Sequence, residues 1–283
     1  MKSLTDFYQL LNGVKIPCVG FGTWQTSNGE TAVSAVKDAI ALGYRHIDTA
    51  AAYGNEESVG IAVKESGVAR EELFITSKLQ NSDHGYEATL KAFDVTMKKL
   101  DMDFLDLYLV HWPNPTKFRD NWKQANAGTW KAFEEIYKAG SVRSIGISNF
   151  MPHHIDALLD TVEIPPMVNQ IRLCPGETQP KTAEYCRAHK ILLEAYSPLG
   201  TGSIFGVPEM KAFAEKYNKS IAQICLRWSL QMGYLPLPKS VTSSRIKENA
   251  EIFDFELSGA DVEAIANLTD CCGHSQDPDK TNF

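Results

Sequence analysis

The stretch GYRHIDTAAAYGNE, residues 43–56, runs from an apolar segment into a polar one. Asp48 stands where the predicted strand ends, and Tyr53 follows it within the same stretch. Lys78 and His111 stand in the same way at the ends of two later apolar runs. Since the carboxyl ends of parallel strands meet at one rim of a sheet, we expect these four side chains to lie together. An acid, a phenol, an amine and an imidazole in one place can deliver a proton to a carbonyl oxygen, which predicts a reductase.

Strand-like and helix-like segments alternate along the rest of the chain, without a Pro/Gly/Ser linker or a charged spacer between them. Eight such units in 283 residues favour an α/β fold in which one (β/α)8 TIM barrel domain spans residues 1–283. Asn12-Gly13 between apolar flanks predicts a short N-terminal β-hairpin with a two-residue turn. The predicted strands cover residues 18–21, 44–48, 73–77, 104–110, 142–147, 167–170, 191–196 and 234–238.

Helix signals separate these strands. Gly43 is placed as the C-terminal cap of a first helix, and Asn55 as the N-terminal cap of a second. The acidic pairs Glu56-Glu57 and Glu134-Glu135 are interpreted as solvated helix faces. The tail from Cys271 onward is predicted to be irregular.

Composition excludes several classes of function. The formal net charge of -7 provides no general basic field for nucleic acid or an anionic membrane surface, so we expect a small-molecule partner. The chain contains no apolar run of membrane-spanning length and no signal-peptide core, and its six cysteines form no C-x-x-C pair. We therefore expect a cytoplasmic protein with reduced thiols. His46, His153 and His154 show no metal-ligand spacing, so no metal is expected.

The motifs together resemble the aldo-keto reductase family, in its bacterial 2,5-diketo-gluconate reductase and prostaglandin-F-synthase-like branch. They extend from about Gly20 to Asn249 and read GFGTW, GYRHIDTAAAYGNE, TSKL, LVHWP, GISNF, VNQ, EAYSPLG and LPKSVTSSRIKEN. The resemblance implies that Asp48, Tyr53, Lys78 and His111 form a catalytic tetrad. Tyrosine has an ordinary pKa of about 10, and a neighbouring ammonium is expected to lower it.

The resemblance also implies NADPH as the cofactor, although the glycine fingerprint of a Rossmann fold is missing. Lys239 and Arg245 flank a strand-to-helix turn in an acidic chain, and two cations there suit a 2′-phosphate. The implied cofactor contacts are Ser148, Asn149 and Gln170 at the carboxamide, Tyr196 on the nicotinamide ring, Ser197 and Leu199 along the pyrophosphate, Lys239, Ser240, Val241 and Arg245 around the 2′-phosphate, and Glu248 and Asn249 at the adenine.

Trp24 and Trp112 are implied to line the substrate pocket beside Tyr53 and His111. Many relatives carry tryptophan after Ser-Lys-Leu, where this chain has Gln80, which favours tolerance for polar substrates. Small aldehydes, 2-oxoaldehydes and keto-sugars stay open as substrates, and a monomer is the family-like expectation. Two alternatives stay open: an NADPH-binding, redox-sensing barrel subunit without turnover, and a barrel hydrolase or lyase without nicotinamide.

Overall fold

A computed structural model describes residues 1–283, and it opens with an antiparallel hairpin of strands β1 (Phe7–Gln9) and β2 (Lys15–Pro17). The predicted hairpin is confirmed, but its two-residue turn is wrong. The connection covers residues 10–14, and a two-residue type I′ turn needs left-handed backbone at both central positions, which only Gly13 provides (φ 86°). The Asn12 side chain instead donates to the Arg143 carbonyl oxygen at 2.9 Å, which fastens the hairpin to the main body.

Eight parallel strands follow in sequential order, β3 to β10, with a helix after each. Backbone hydrogen bonds from Gly20 to Pro236 (3.0 Å) and from Gly22 to Pro238 (2.9 Å) join the first strand to the last. The predicted (β/α)8 barrel is therefore confirmed. The strands are β3 (Phe21–Gly22), β4 (His46–Asp48), β5 (Phe74–Leu79), β6 (Leu107–Val110), β7 (Ile145–Ser148), β8 (Val168–Arg172), β9 (Leu192–Tyr196) and β10 (Leu235–Leu237).

Several strands begin later than predicted. Val142 was expected to open a strand, but it pairs with Leu105 only as an isolated bridge before β7 begins. Its burial gives the apolar signal of a strand without the continuous hydrogen bonds of one. The sequence pattern therefore marks where the chain enters the barrel, a few residues before regular pairing starts.

The helices surround the barrel and bury their apolar stripes against it, with Trp130 and Trp228 among the largest fully buried side chains. Gly43 adopts φ 101° after the first helix, as the predicted cap requires. One helix, α7, was not predicted, and α4 begins earlier than expected. The helices are α1 (Glu30–Ala41), α2 (Glu56–Glu65), α3 (Tyr86–Leu100), α4 (Trp122–Lys138), α5 (Pro152–Leu159), α6 (Pro180–Ala188), α7 (Pro208–Tyr217), α8 (Ile221–Gln231), α9 (Ser243–Ala250) and α10 (Gly259–Ala266).

Two acidic residues interpreted as solvated are buried. Glu56 accepts a hydrogen bond from the Ser77 hydroxyl at 2.7 Å, and Glu134 accepts from the backbone N–H groups of Glu163 and Ile164. Each carboxylate lies on the inward side of its helix, where these bonds offset its burial. The sequence did not show this burial, because each glutamate stands next to a second acid and the pair suggested a solvated face. Consecutive residues on a helix point in different directions, so one of the pair can be buried while the other is not. No helix is both long and apolar enough to cross a membrane.

The Asn55 side chain does not cap α2 as predicted. Its amide group donates to the carbonyl oxygens of Thr23 and Thr26, at 3.0 and 3.1 Å, and its oxygen accepts from the Thr49 hydroxyl at 2.7 Å. Fully buried, Asn55 ties together the two loops that follow β3 and β4. It thus stabilises the rim of the barrel that carries the predicted functional residues.

Candidate active site

The four residues of the predicted tetrad meet at the carboxyl-terminal rim of the barrel. Asp48 is the last residue of β4, Lys78 lies near the end of β5, and His111 follows β6 directly. Tyr53 lies in a short 3-10 turn at residues 51–53, which returns its ring over the rim. The strand-end argument from sequence therefore placed these side chains in one neighbourhood correctly.

The Lys78 ammonium is the centre of this group and is fully buried. Its Nζ lies 2.7 and 2.8 Å from the two Asp48 oxygens, 2.9 Å from the Thr49 carbonyl oxygen and 3.2 Å from the Tyr53 hydroxyl oxygen. Burial alone would lower the pKa of Lys78, but Asp48 and Tyr53 together raise it above its ordinary value. Lys78 therefore stays charged, and its charge faces the phenol.

The expected lowering of the Tyr53 pKa is only partly right. Burial raises the pKa of this phenol and outweighs the lowering by the Lys78 ammonium, while the Asp48 carboxylate also raises it. The net direction is upward. Tyr53 therefore keeps its proton at neutral pH, and the ammonium beside it stabilises the phenolate that proton release would produce.

His111 completes the group as a neutral imidazole. Burial, together with the nearby Lys78 charge, lowers the pKa of His111 to about 3. Its ring stands edge-on to the Tyr53 ring, with centroids 5.9 Å apart, and its Nδ1 has no hydrogen-bond partner within the protein. A neutral imidazole can donate one hydrogen bond without adding charge to the cavity.

A cavity of about 1390 Å³ opens above these residues. Asp48, Tyr53 and His111 line it, whereas Lys78 lies behind Tyr53. Of the predicted cofactor contacts, only Val241 stays outside the lining, with about half of its surface exposed. The others line it: Ser148, Asn149, Gln170, Tyr196, Ser197, Leu199, Lys239, Ser240, Arg245, Glu248 and Asn249.

The residues predicted to contact a carboxamide are held in place by their own hydrogen bonds. Asn149 adopts left-handed backbone (φ 63°), and its amide group donates to the His111 carbonyl oxygen and to Ser148 Oγ. The Tyr196 hydroxyl donates to Asn149 Oδ1 at 2.9 Å. Ser148 Oγ donates in turn to the Gln170 carbonyl oxygen at 2.7 Å. The polar wall of the cavity is therefore preformed.

The residues predicted for the 2′-phosphate lie where β10 leads into α9. Lys239 Nζ donates to the Gln25 carbonyl oxygen at 3.1 Å, and Arg245 lies exposed in the first turn of α9. The Thr242 side chain does not cap this helix, so N–H groups of its first turn lack side-chain acceptors. Two cations beside such a helix start fit a phosphate dianion.

Comparison with known proteins identifies the family. The model of the Aldo/keto reductase family matches residues 18–270. The chain belongs to the aldo/keto reductase family. It is 50% identical to glyoxal reductase of Bacillus subtilis (99% of each chain covered) and 43% identical to methylglyoxal reductase DkgA of Escherichia coli K12 (96% of each). A Bombyx mori aldo-keto reductase solved in complex with NADP superposes with a TM-score of 0.83, at 38% identity over 92% of this chain and 91% of that one. The predicted oxidoreductase class is confirmed.

The part of the cavity that is predicted to take the substrate is lined by mixed aromatic and polar side chains. Trp24 is about half exposed, and Trp112 meets the Phe283 ring edge-on at 5.1 Å. Gln80 lines the cavity as the sequence suggested, together with Asn81. Phe283, the last residue, was not predicted there, because nothing local in the sequence shows where an irregular tail will return.

The tail is held against the barrel by Asp279. Its carboxylate accepts from Asn114 Nδ2 (2.9 Å) and His154 Nε2 (2.9 Å), and lies 3.0 Å from His153 Nε2. These ligand-type atoms lie within 4.8 Å of one another, so the expectation that the two histidines lack partners at metal spacing is wrong. The reason is that Asp279 is distant in sequence.

The hydrogen bonds of His154 nevertheless argue against a metal there. Its Nδ1 accepts from the Met151 backbone N–H, which leaves the proton of the neutral ring on Nε2. Burial, together with the nearby His153, lowers the pKa of His154 to about 4, so the ring is neutral. Nε2 then donates to Asp279 and has no free lone pair for an ion. The cluster is a clamp for the tail.

Arg172 and Phe205 are among the further cavity residues that escaped the sequence argument. Arg172 follows Gln170 at the strand spacing that puts both on one face of β8, a signal that was available. Its guanidinium donates to the Cys272 carbonyl oxygen and thereby holds the tail. Phe205 lies in the 3-10 segment Gly200–Gly206 and is about half exposed at the cavity mouth, where no periodic signal marks it.

Proposed function

We propose that the protein is an NADPH-dependent reductase that converts small aldehydes and 2-oxoaldehydes to alcohols, with Tyr53 as the proton donor. The observation that carries this proposal is the buried Lys78 ammonium, bonded to Asp48 on one side and to the Tyr53 hydroxyl on the other, at the base of a large cavity.

The proton step follows from the electrostatics. A general acid must hold its proton until it is needed, and the raised pKa of Tyr53 meets that condition. An alkoxide forming at the carbonyl is far more basic than a phenolate, so transfer from the hydroxyl is downhill. Lys78 stabilises the resulting phenolate across 3.2 Å, and Asp48 holds the ammonium in line.

His111 orients the substrate in this proposal. As a neutral imidazole it donates to the carbonyl oxygen without competing with Tyr53 for the proton. NADPH supplies the hydride when it is bound. The chain's own part is to hold the carbonyl between the phenol and the imidazole, in a geometry that needs little further reorganisation.

The cofactor is NADPH, held by the cavity residues named above. Ser148, Asn149 and Gln170 would hold the carboxamide, Tyr196 would stack on the nicotinamide ring, and Arg245 with Lys239 would hold the 2′-phosphate; all of them line the cavity. The preformed polar wall and the cationic start of α9 support these contacts, as does the NADP-bound relative from Bombyx mori.

Small 2-oxoaldehydes are the preferred substrate class. The named activities of the two bacterial relatives, glyoxal and methylglyoxal reductase, support them. The amide side chains of Gln80 and Asn81, which also line the cavity, provide hydrogen-bonding groups for a second oxygen on the substrate. Keto-sugars are the second candidate substrate class, favoured by the same two amide side chains. A monomeric state and a cytoplasmic compartment stay predictions from the sequence.

The test is the rate of NADPH oxidation with glyoxal, methylglyoxal and a keto-sugar, for the wild type and Tyr53→Phe. We expect the variant to bind NADPH normally and to lose at least about 10²-fold in kcat, the lower end for a general acid. Tyr86→Phe, at the start of α3 and outside the cavity lining, is the matched control and should leave kcat unchanged. An unchanged rate for Tyr53→Phe rejects the proton role, and NADPH binding without turnover in the wild type favours the redox-sensing alternative.

A further inference from the structure

The barrel interior contains a carboxyl group that the proposed proton step does not use. Glu194 lies in the middle of β9 and is fully buried. Its Oε2 accepts from Gln170 Nε2 at 2.7 Å, while its Oε1 has no hydrogen-bond partner and lies 3.9 Å from His46 Nε2. A half-bonded acid at this depth calls for a functional reason.

The partner amide is bonded from two sides. Gln170 Nε2 donates to Glu194 Oε2 and also to Asp48 Oδ2, at 2.7 and 2.8 Å. An amide nitrogen carries two hydrogens, so both are used. Rotating the amide by half a turn would set its oxygen against Asp48 Oδ2 and Glu194 Oε2, the two carboxyl oxygens that accept its hydrogens. The side-chain amide oxygen of Gln170, Oε1, is therefore the atom left to face the cavity that this residue lines.

This inference rests on the proposed function. We propose that Glu194 is a positioning residue that holds the side-chain amide of Gln170 with its oxygen Oε1 toward the cofactor. The side-chain oxygen of Gln170 then offers a hydrogen-bond acceptor to the cofactor, and a cofactor group that binds it must provide an N–H donor. The nicotinamide carboxamide has such a group, and an analogue with a methyl ketone in its place does not. Glu194 thus sets a preference for a carboxamide without touching it.

The unfavourable burial of the Glu194 carboxyl group supports a positioning role. Burial, together with the nearby Asp48 charge, raises the pKa of Glu194 to about 8, against the opposing effects of the Gln170 hydrogen bond and Lys78. An apolar side chain in this place would avoid that cost but would leave one Gln170 hydrogen without an acceptor. Groups that destabilise a fold are retained where they serve a site.

Equilibrium binding to the purified protein tests this directly. Dissociation constants are measured for NADP+ and for its 3-acetylpyridine analogue, in which a methyl group replaces the amide nitrogen. One hydrogen bond is worth about a fivefold to tenfold preference, and we expect the wild type to favour NADP+ by that factor. Glu194→Leu removes one of the two acceptors that hold the amide and should lower this ratio toward one. Glu194→Gln keeps an acceptor oxygen and should retain the preference.

The outcomes separate this inference from the proposed function. Wild type that binds neither dinucleotide overturns both. Wild type that binds both equally, or Glu194→Leu that keeps the preference, overturns the role of Glu194 alone. An equal loss of affinity for both cofactors in Glu194→Leu also overturns it, since that is what a merely structural role predicts. Should Glu194→Leu not fold, Glu194→Ala removes the same acceptor without adding a branched side chain.

Discussion

Replacing Glu194 by glutamine should stabilise the protein in a pH-dependent way. The pKa of Glu194 is raised from 4.5 to about 8 in the folded state, so the folded protein binds a proton that the unfolded chain releases. Stability is then full below about pH 4.5, falls as the pH rises, and levels off above about pH 8. Glutamine does not titrate, and the variant lacks this decline.

The magnitude follows from the size of the shift. One pKa unit corresponds to about 1.36 kcal/mol, so the whole interval amounts to about 5 kcal/mol. Between pH 5.5 and pH 8 the advantage of Glu194→Gln over the wild type should grow by about 3 kcal/mol. That is a large part of the stability of an ordinary domain.

Urea denaturation of both proteins at a series of pH values measures this difference. Glu263→Gln, on the exposed face of α10, is the control and should give a difference that does not change with pH. A Glu194→Gln advantage that stays constant from pH 5.5 to pH 8 would show that Glu194 is ionised in the folded protein. The account of its neutral carboxyl group would then be wrong.

Three further predictions concern the cofactor, the packing and the tail. Arg245→Ala should weaken NADPH binding about tenfold and NADH binding little, since one charge-assisted bond to the 2′-phosphate is lost. Lys247→Ala, on the same helix but outside the cavity lining, should weaken neither, and equal weakening of both cofactors by Arg245→Ala rejects the role. Gly60→Ala should lower the free energy of unfolding by about 1–3 kcal/mol in urea titrations, because its Cβ would lie 2.2 Å from a backbone oxygen of α3, while Gly259→Ala meets no atom within 4 Å and should be neutral. Asp279→Ala should speed the release of C-terminal residues by carboxypeptidase, and unchanged trimming would show that the tail is held elsewhere.

Much of the fold could be predicted because the barrel repeats a simple signal. Three apolar runs ended in a polar residue, and Asp48, Lys78 and His111 all lie where that rule put them. The strand starts were less accurate, since Val142 is buried like a strand residue but pairs only as a bridge. A hydrophobic pattern predicts which residues are buried. The residue at which regular hydrogen bonding begins also depends on the partner strand, which the local pattern does not show.

The rest depended on contacts between distant segments. Asp279 comes to His154 from the far end of the chain, and Phe283 returns to Trp112 through a tail without periodicity. The burial of Glu56 is equally a tertiary fact, since its acidic neighbour suggested a solvated face. The upward shift of the Tyr53 pKa belongs here too, because the depth of a phenol cannot be inferred from the charges beside it in sequence.

Asp48 connects the two halves of the proposed chemistry. One of its oxygens bonds only Lys78, and the other bonds both Lys78 and Gln170, at 2.8 Å each. The same carboxylate therefore holds the ammonium that faces the proton donor and fixes the amide that faces the cofactor. It can serve both because its charge is compensated by Lys78 alone, while Glu194 beside it stays neutral and adds no second charge. A second ionised carboxylate there would repel Asp48 and draw Lys78 away from the phenol. Neutral Glu194 thus leaves the pairing of Asp48 with Lys78 undisturbed.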